Sequence, residues 1–311
     1  MEHYLDNAAT TKPCAEAAAA VMSCISSHYG NPSSLHRKGL EAQHEVEYAR
    51  NQVAGALGCK AQEIVFTSGA TESTNLALCG AAAAYGRKRK KIITSAVEHA
   101  SVRETMAHLE TLGFTVVSVP PAEDGLYHAE DFLKEVDKDT CMVSIMLVNN
   151  ENGYRMPVEE VFRTVKRRDP DIITHCDAVQ GFLKVSFKPR TLCADLVSLS
   201  GHKVHALKGA GALYIRQGVR LKPVLYGSRQ EKGLRPGTEG VPVIAAFGAA
   251  AEKLVLTMDE RYDAVSGLRS SLIEQLKEMD GVIIRDLPSA SPYVLNISLL
   301  GYRSEIVLHY L

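Results

Sequence analysis

From about residue 63 onward the chain alternates short apolar runs with segments of helical period. The runs Glu63 to Thr67, Lys91 to Thr94, Phe114 to Val119, Met142 to Val148, Ile172 to Cys176 and Leu196 to Leu199 predict strands, with amphipathic helices between most of them. Strand and helix in alternation predict βαβ units, hence an α/β fold with a mostly parallel sheet flanked by helices. Gly58, Gly86 and Gly113 stand where three of the helices should stop, because glycine tolerates the left-handed turn that closes a helix.

A different pattern begins at Val241. From there to about Met279 no convincing break occurs, Pro242 fits a first turn, and Val265, Leu268, Leu272 and Leu276 repeat at helical spacing. At about 1.5 Å per residue, such a helix is long enough to leave one domain and enter another. Strands at Val282 to Ile284 and Tyr293 to Ser298 follow. Ser304 is placed to cap a last helix, Glu305 to Leu311, which stops after about two turns with no C-cap signal. Residues 15–257 are therefore expected to form a large domain. Residues 1–14 and 258–311 are expected to form a smaller α+β domain whose C-terminal part is missing.

Composition narrows the function classes. Lys plus Arg (35) against Asp plus Glu (36) gives a net charge of −1, so the molecule as a whole offers no footprint for nucleic acid or an anionic membrane. The basic run Arg87 to Lys91 reads as a solvated loop between a helix and a strand. No uncharged apolar run reaches the roughly 18 residues of a membrane span, and the N-terminus lacks the basic and apolar regions of a signal peptide. The seven cysteines, Cys14, Cys24, Cys59, Cys79, Cys141, Cys176 and Cys193, are odd in number and scattered without a C-x-x-C pair. They read as reduced thiols in a cytoplasmic compartment, with no metal site expected. Gly209-Ala210-Gly211 begins like a dinucleotide fingerprint but runs into the strand-like Ala212 to Ile215, and there is no P-loop.

Ligands of open α/β sheets bind beyond the carboxyl ends of the strands, and polar residues crowd those positions here. Ser68-Gly69-Ala70-Thr71-Glu72, Glu98-His99, Asn149-Asn150-Glu151, Asp177-Ala178-Val179-Gln180 and Ser200-Gly201-His202-Lys203 each follow an apolar run. Singly these are ordinary turn and cap residues. Together they suit one chemistry. The strand-to-helix turn at Ser68 to Thr71 can hold a phosphate on backbone N–H groups, with hydroxyls from Thr71 and Ser200. An Asp at a strand end can pair with a protonated pyridine nitrogen, and a Lys can bond covalently to an aldehyde, which are the needs of pyridoxal 5′-phosphate.

The same residues carry a family resemblance. Y-L-D-N-A-A-T-T (4–11), G-N-P-S-S-L-H (30–36), F-T-S-G-A-T-E-S (66–73), E-H (98–99), N-N-E-N-G (149–153), D-A-V-Q (177–180), S-G-H-K (200–203) and G-L-R-P-G-T-E (233–239) occur in order. This set closely resembles the NifS/IscS-like cysteine desulfurases, fold-type I pyridoxal-phosphate enzymes of aminotransferase class V. The resemblance implies that Lys203 anchors the cofactor, His99 stacks on its ring, Asp177 pairs with the pyridine nitrogen and Gln180 hydrogen-bonds the phenolic oxygen. Ala70 belongs to the phosphate turn, and Thr71, Ser200 and His202 bind the phosphate, joined by Thr238 from the other subunit of a homodimer. Asn150 lies near the substrate carboxylate, and the substrate is L-cysteine, whose sulfur goes to an enzyme persulfide and then to an acceptor or scaffold protein.

Asn152, Leu207 and the run Tyr226 to Gln230 depart from the family pattern as loop changes. In the family a further stretch beyond the strand at Tyr293 to Ser298 holds the catalytic cysteine and an arginine for the substrate carboxylate, and this sequence ends before either. None of its seven cysteines matches: Cys176 is expected inside a strand, Cys193 before one and Cys14 at the opening of a helix. Two other readings stay open at this point, a non-catalytic assembly or binding homologue and another class V reaction such as selenocysteine lysis or transamination.

Overall fold

The computed structural model describes residues 3–309. The strands β1 (Ile64–Thr67), β2 (Lys91–Ser95), β3 (Thr115–Val119), β4 (Thr140–Met146), β5 (Ile173–Asp177), β6 (Leu196–Ser200) and β7 (Gly211–Ile215) form one sheet in the order β1-β7-β6-β5-β4-β2-β3. Pairing is parallel from β3 through β6, and β7 runs antiparallel to both its neighbours, β6 and β1. Every residue of β1, β4, β5 and β6 is buried, as their apolar runs without alternation imply for a sheet covered on both faces.

Successive side chains of a strand point to opposite faces, and the sheet separates two apolar cores accordingly. Ile64 and Phe66 of β1 join one core with α1 (Ala15–Ser26), α2 (Arg37–Leu57), the short α5 (Ala129–Leu133), α6 (Val158–Arg168) and α7 (Pro189–Leu192), and α8 (Val241–Leu256). Val65 joins the other with α3 (Ala70–Tyr85) and α4 (Ala100–Thr111). The approach of α2 to α8 depends on Gly248, where a Cβ would fall 2.6 Å from Ala49 Cα. Gly58 closes α2 in the left-handed conformation (φ 74°). The basic run is tied into the surface, Arg89 by Asp169 (2.6 Å), Lys91 by Asp137 (3.0 Å) and Lys90 over the Phe114 ring (4.2 Å).

The expected continuous helix from Val241 to Met279 is two helices. α8 and α9 (Met258–Lys277) meet at 73° across Thr257, whose φ −119° and ψ 18° lie outside the helical range. Arg261 holds the break open, its Nη2 donating to Leu254 O (2.8 Å) at the end of α8 and to Leu183 O (3.3 Å). Leu254 O, which also accepts from Thr257 N–H (3.3 Å), thus gains a second donor at the end of the helix. α8 is buried from Val241 to Ala251 along one face and exposes Val255 and Leu256 at its end, whereas on α9 Ile273 is buried and Leu268 and Leu272 are exposed. β8 (Val282–Arg285) and β9 (Asn296–Leu299) pair antiparallel as a separate ribbon, β9 starting later than its apolar run suggests. In α10 (Ser304–Leu308), Ser304 is the first helical residue and Arg303 takes the cap position without a side-chain bond, so the expected serine cap does not form. Tyr310 and Leu311 of that expected helix lie outside the described residues.

Candidate active site

A cleft of about 1400 Å3 opens at the carboxyl ends of β1, β2, β4, β5 and β6. Ala70, Thr71, His99, Asn150, Asp177, Gln180, Ser200, His202 and Lys203 all line it. Thr238 does not line this cleft and is exposed on a loop.

Lys203 ends a short helical turn directly after β6, and its Nζ donates to Ala8 O (2.5 Å) and Ala9 O (2.7 Å). Those carbonyls belong to a segment with no regular structure that crosses the cleft and is stitched to the Lys203 loop. Thr11 N–H and Oγ1 both donate to His202 O (2.9 Å each), and His205 N–H donates to Thr11 Oγ1 (2.7 Å). Burial lowers the Lys203 ammonium from its usual range, against the opposing pull of Asp6 and Asp177.

Asp177, the last residue of β5, is buried and accepts from Val179 N–H (3.0 Å). Burial raises its carboxyl pKa, and Val179, His99 and Lys203 oppose that. Two residues earlier on the same strand face, His175 accepts or donates at both nitrogens, to Ser144 Oγ (2.8 Å) and Ser198 Oγ (2.9 Å), and Thr74 Oγ1 donates to Ser198 (3.3 Å). Burial pushes the His175 pKa down to about 3, so the network joining β4, β5, β6 and α3 is neutral.

The neighbouring Glu98 is also buried. Its Oε1 accepts from Ser95 Oγ (2.6 Å) and Met146 N–H (2.9 Å), while its Oε2 has no partner. Burial pushes its pKa up to about 8 from 4.5, with Asp177 adding to the rise. The folded state therefore binds more protons than the unfolded chain between those values, and stability falls as pH rises through that window. Glu98→Gln, which keeps the accepting oxygen and cannot ionise, is expected to melt above wild type at pH 8 and to converge with it near pH 4.5. Parallel melting curves at both pH values would contradict a carboxyl protonated in the fold.

Unengaged donors also face the cleft. Ser200 Oγ is buried without a hydrogen-bond partner. α3 begins at Ala70 with Gly69 in the cap position, so no side chain occupies its first N–H groups from that residue. The turn lies close on β7, where a Cβ at Gly211 would fall 2.6 Å from Gly69 Cα. His202 Nδ1 lies 3.2 Å from Thr10 Oγ1, and burial, with Lys203, Lys208 and Lys184 nearby, pushes its pKa down to about 4. It is a neutral donor near pH 7.

His99 caps α4, its Nδ1 accepting from Ser101 N–H (3.1 Å), which leaves the proton of the neutral ring on Nε2. Asn150 Nδ2 donates to Glu151 Oε1 (2.7 Å). Ala8, Ala9 and Thr10, Lys208, and Tyr293 and its followers also line the cleft, none of them among the residues expected there. The motif at residues 4–11 was the available signal for the first three. Among the described residues, none of the seven cysteines lines the cleft, and neither does an arginine. Cys176 and Cys24 are fully buried, Cys14 caps α1 and Cys193 follows α7.

Comparison with known proteins places the fold and the family. Residues 3–311 match the aminotransferase class-V family. A protein of Dictyoglomus turgidum named cysteine desulfurase IscS is 39% identical over 312 aligned residues, covering 100% of this chain and 79% of that one. A solved structure of a NifS-like protein superposes with a TM-score of 0.95 at 39% identity, covering 99% of this chain and 85% of that chain. A second, described as SspA in complex with cysteine, superposes at 0.86 with 31% identity, covering 99% and 86%.

Proposed function

The chain belongs to the aminotransferase class-V family, among the IscS- and NifS-like cysteine desulfurases, and on that premise we propose that its cleft binds pyridoxal 5′-phosphate and L-cysteine through the residues described above. Enzymes of this family depend on that cofactor, which when bound serves as an electron sink for bonds broken at the substrate Cα. The observation that carries the reading is a pair of polar groups at the ends of adjacent strands in one cleft. Ser200 Oγ is buried without a hydrogen-bond partner, and Asp177 is a buried carboxyl that accepts from Val179 N–H, with His99 and Lys203 as the cationic groups acting on it.

The residues divide the work by position. The first N–H groups of α3, with Ala70, Thr71, Ser200 and neutral His202, would hold the phosphate. Asp177 would stay ionised once a ring N–H lies against it, because a charge-assisted bond offsets the burial that otherwise raises its pKa. His99 would cover the ring, and Gln180 would donate to its oxygen. Asn150 would orient the substrate. Lys203 would anchor the aldehyde and, as a free amine, move the Cα proton. Its lowered pKa increases the fraction able to accept that proton near neutral pH.

We also infer a homodimer in which Thr238 reaches the partner's phosphate, residues 15–257 as the cofactor-binding unit, and a reducing compartment, consistent with seven free thiols. Sulfur transfer in this family breaks the Cβ–S bond of L-cysteine, moves the sulfur to a cysteine thiolate as a persulfide and releases L-alanine. That step needs a thiolate within reach of the substrate, and no cysteine lines this cleft. The second reading, a chain that holds cofactor and substrate without completing sulfur transfer, is favoured by that observation.

One experiment separates the two. The loaded 311-residue chain is incubated with L-cysteine in heavy water, and Cα-proton exchange, alanine and protein persulfide are followed by NMR and mass spectrometry. Exchange without persulfide is the expected result. Turnover abolished by replacing one of the seven cysteines would place the nucleophile among them. Absence of both cofactor loading and exchange would overturn the functional reading itself.

A further inference from the structure

Lys184 is a buried lysine for which the chemistry above has no use. The chain leaves β5 through tight turns, Phe182 N–H donating to Ala178 O (2.7 Å) and Lys184 N–H to Gly181 O (3.0 Å), with Leu183 in the left-handed region at φ 58°. This path sets Lys184 beside Gln180, four residues back. Its Nζ donates to Gln180 Oε1 at 2.8 Å, both groups buried, and lies 6.0 Å from the centroid of the Tyr293 ring. The charged groups acting on it, Lys203 and Arg261, are both cations, and burial together with them pushes its pKa down to about 8. A buried ammonium facing other cations costs stability, so its contact with Gln180 calls for a reason.

An amide side chain has an accepting end and a donating end, whereas an ammonium only donates. With Lys184 on one side, Gln180 must turn its oxygen that way. Its Nε2 then faces the other way, donating to Ala8 O at 2.9 Å, on the carbonyl that also takes Lys203 Nζ. Reversal of the amide would set an NH2 group against the ammonium and a carbonyl against Ala8 O, two repulsive contacts in a buried place.

We propose that Lys184 is a positioning residue that locks the Gln180 amide so that Gln180 presents N–H, and not C=O, to the ring oxygen of the bound cofactor. The inference rests on the cofactor reading above. A donor at that oxygen favours its anionic form, and the charge on Lys184 acts in the same direction. The pH at which the visible band of the loaded protein titrates is therefore held down. The other titratable groups facing this place are Lys203, Asp177 and His202 in the cleft and Tyr293 and Arg261 around Lys184, and Lys184→Arg keeps the charge that His202 and Lys203 feel from residue 184.

The test is a pH titration of the visible absorbance of wild type, Lys184→Met and Lys184→Arg, each loaded with pyridoxal phosphate. Lys184→Met is expected to raise the midpoint by about one pH unit, and Lys184→Arg to return it toward wild type. A midpoint unmoved in Lys184→Met, or raised equally in Lys184→Arg, overturns the proposal. Should Lys184→Met fail to fold, Gln180→Glu has nearly the same shape, can accept from Lys184 and offers no N–H, and it must raise the midpoint likewise. An unmoved midpoint in that variant overturns the proposal too. A wild-type protein that acquires no visible band at all sinks the cofactor reading instead, so the two failures are distinct.

Discussion

Lys203→Ala is expected to bind pyridoxal phosphate without a covalent link and to lose Cα-proton exchange by about a thousandfold or more, the combined loss of an anchoring nucleophile and a positioned base. Two amines lie near the ring position, Lys203 and Lys184, and geometry separates them. Lys203 sits directly after β6 and lines the cleft, whereas Lys184 does not line it and is engaged by Gln180. Only the first can reach an aldehyde without leaving a buried partner. Borohydride treatment of the loaded wild type should fix the cofactor on the peptide containing residue 203, as read by mass spectrometry. A reducible link that survives in Lys203→Ala would move the assignment to Lys184.

Asp177→Asn should slow Cα-proton exchange by about 10- to 100-fold while leaving cofactor affinity much less affected. A hydrogen bond to a charged group contributes about 1.5–3 kcal/mol, against roughly 1 for a neutral pair, and the charged bond strengthens as the ring gathers electrons. The ligand-free protein should respond in the opposite sense. Asp177 is a buried carboxyl whose pKa burial raises, so replacing it with a neutral amide removes a desolvation cost and should raise the melting temperature before cofactor is added. Calorimetry with and without cofactor, beside exchange measured by NMR, checks both arms. Unchanged exchange in the variant would show that the carboxylate does not tune the ring.

The parts of this molecule legible in the sequence are those governed by local pattern. Buried strands betray themselves as continuous apolar runs, and most of the polar residues that follow them, Glu98 and Asn149 excepted, line the cleft where an open α/β sheet puts them. What escaped is set by distant partners. Every residue around Thr257 is compatible with a helix, and the bend is held by Arg261 reaching Leu183 O, a contact 78 residues away in sequence. The carbonyls of Ala8 and Ala9 hold Lys203, but backbone carbonyls are the same in every residue and leave no compositional trace. The serine at 304 resembled a cap because hydroxyls favour that position, yet the helix starts one residue earlier than that role requires. Glu98 and Lys184 are ordinary surface residue types until burial gives them shifted pKa values.

The segment that crosses the cleft also constrains the order of events during synthesis. Ala8 O and Lys203 Nζ are separated by 195 positions, and the ties of Thr11 to His202 and His205 span nearly as many. A ribosome adding roughly 5–20 residues per second therefore exposes the N-terminal arm for on the order of ten seconds or more before its partners emerge. During that interval Leu5, solvent-exposed even in the finished fold, has no cleft to lie along. The cleft closes over its N-terminal edge only after β6 has joined the sheet, so the ability to retain a cofactor arises late and all at once.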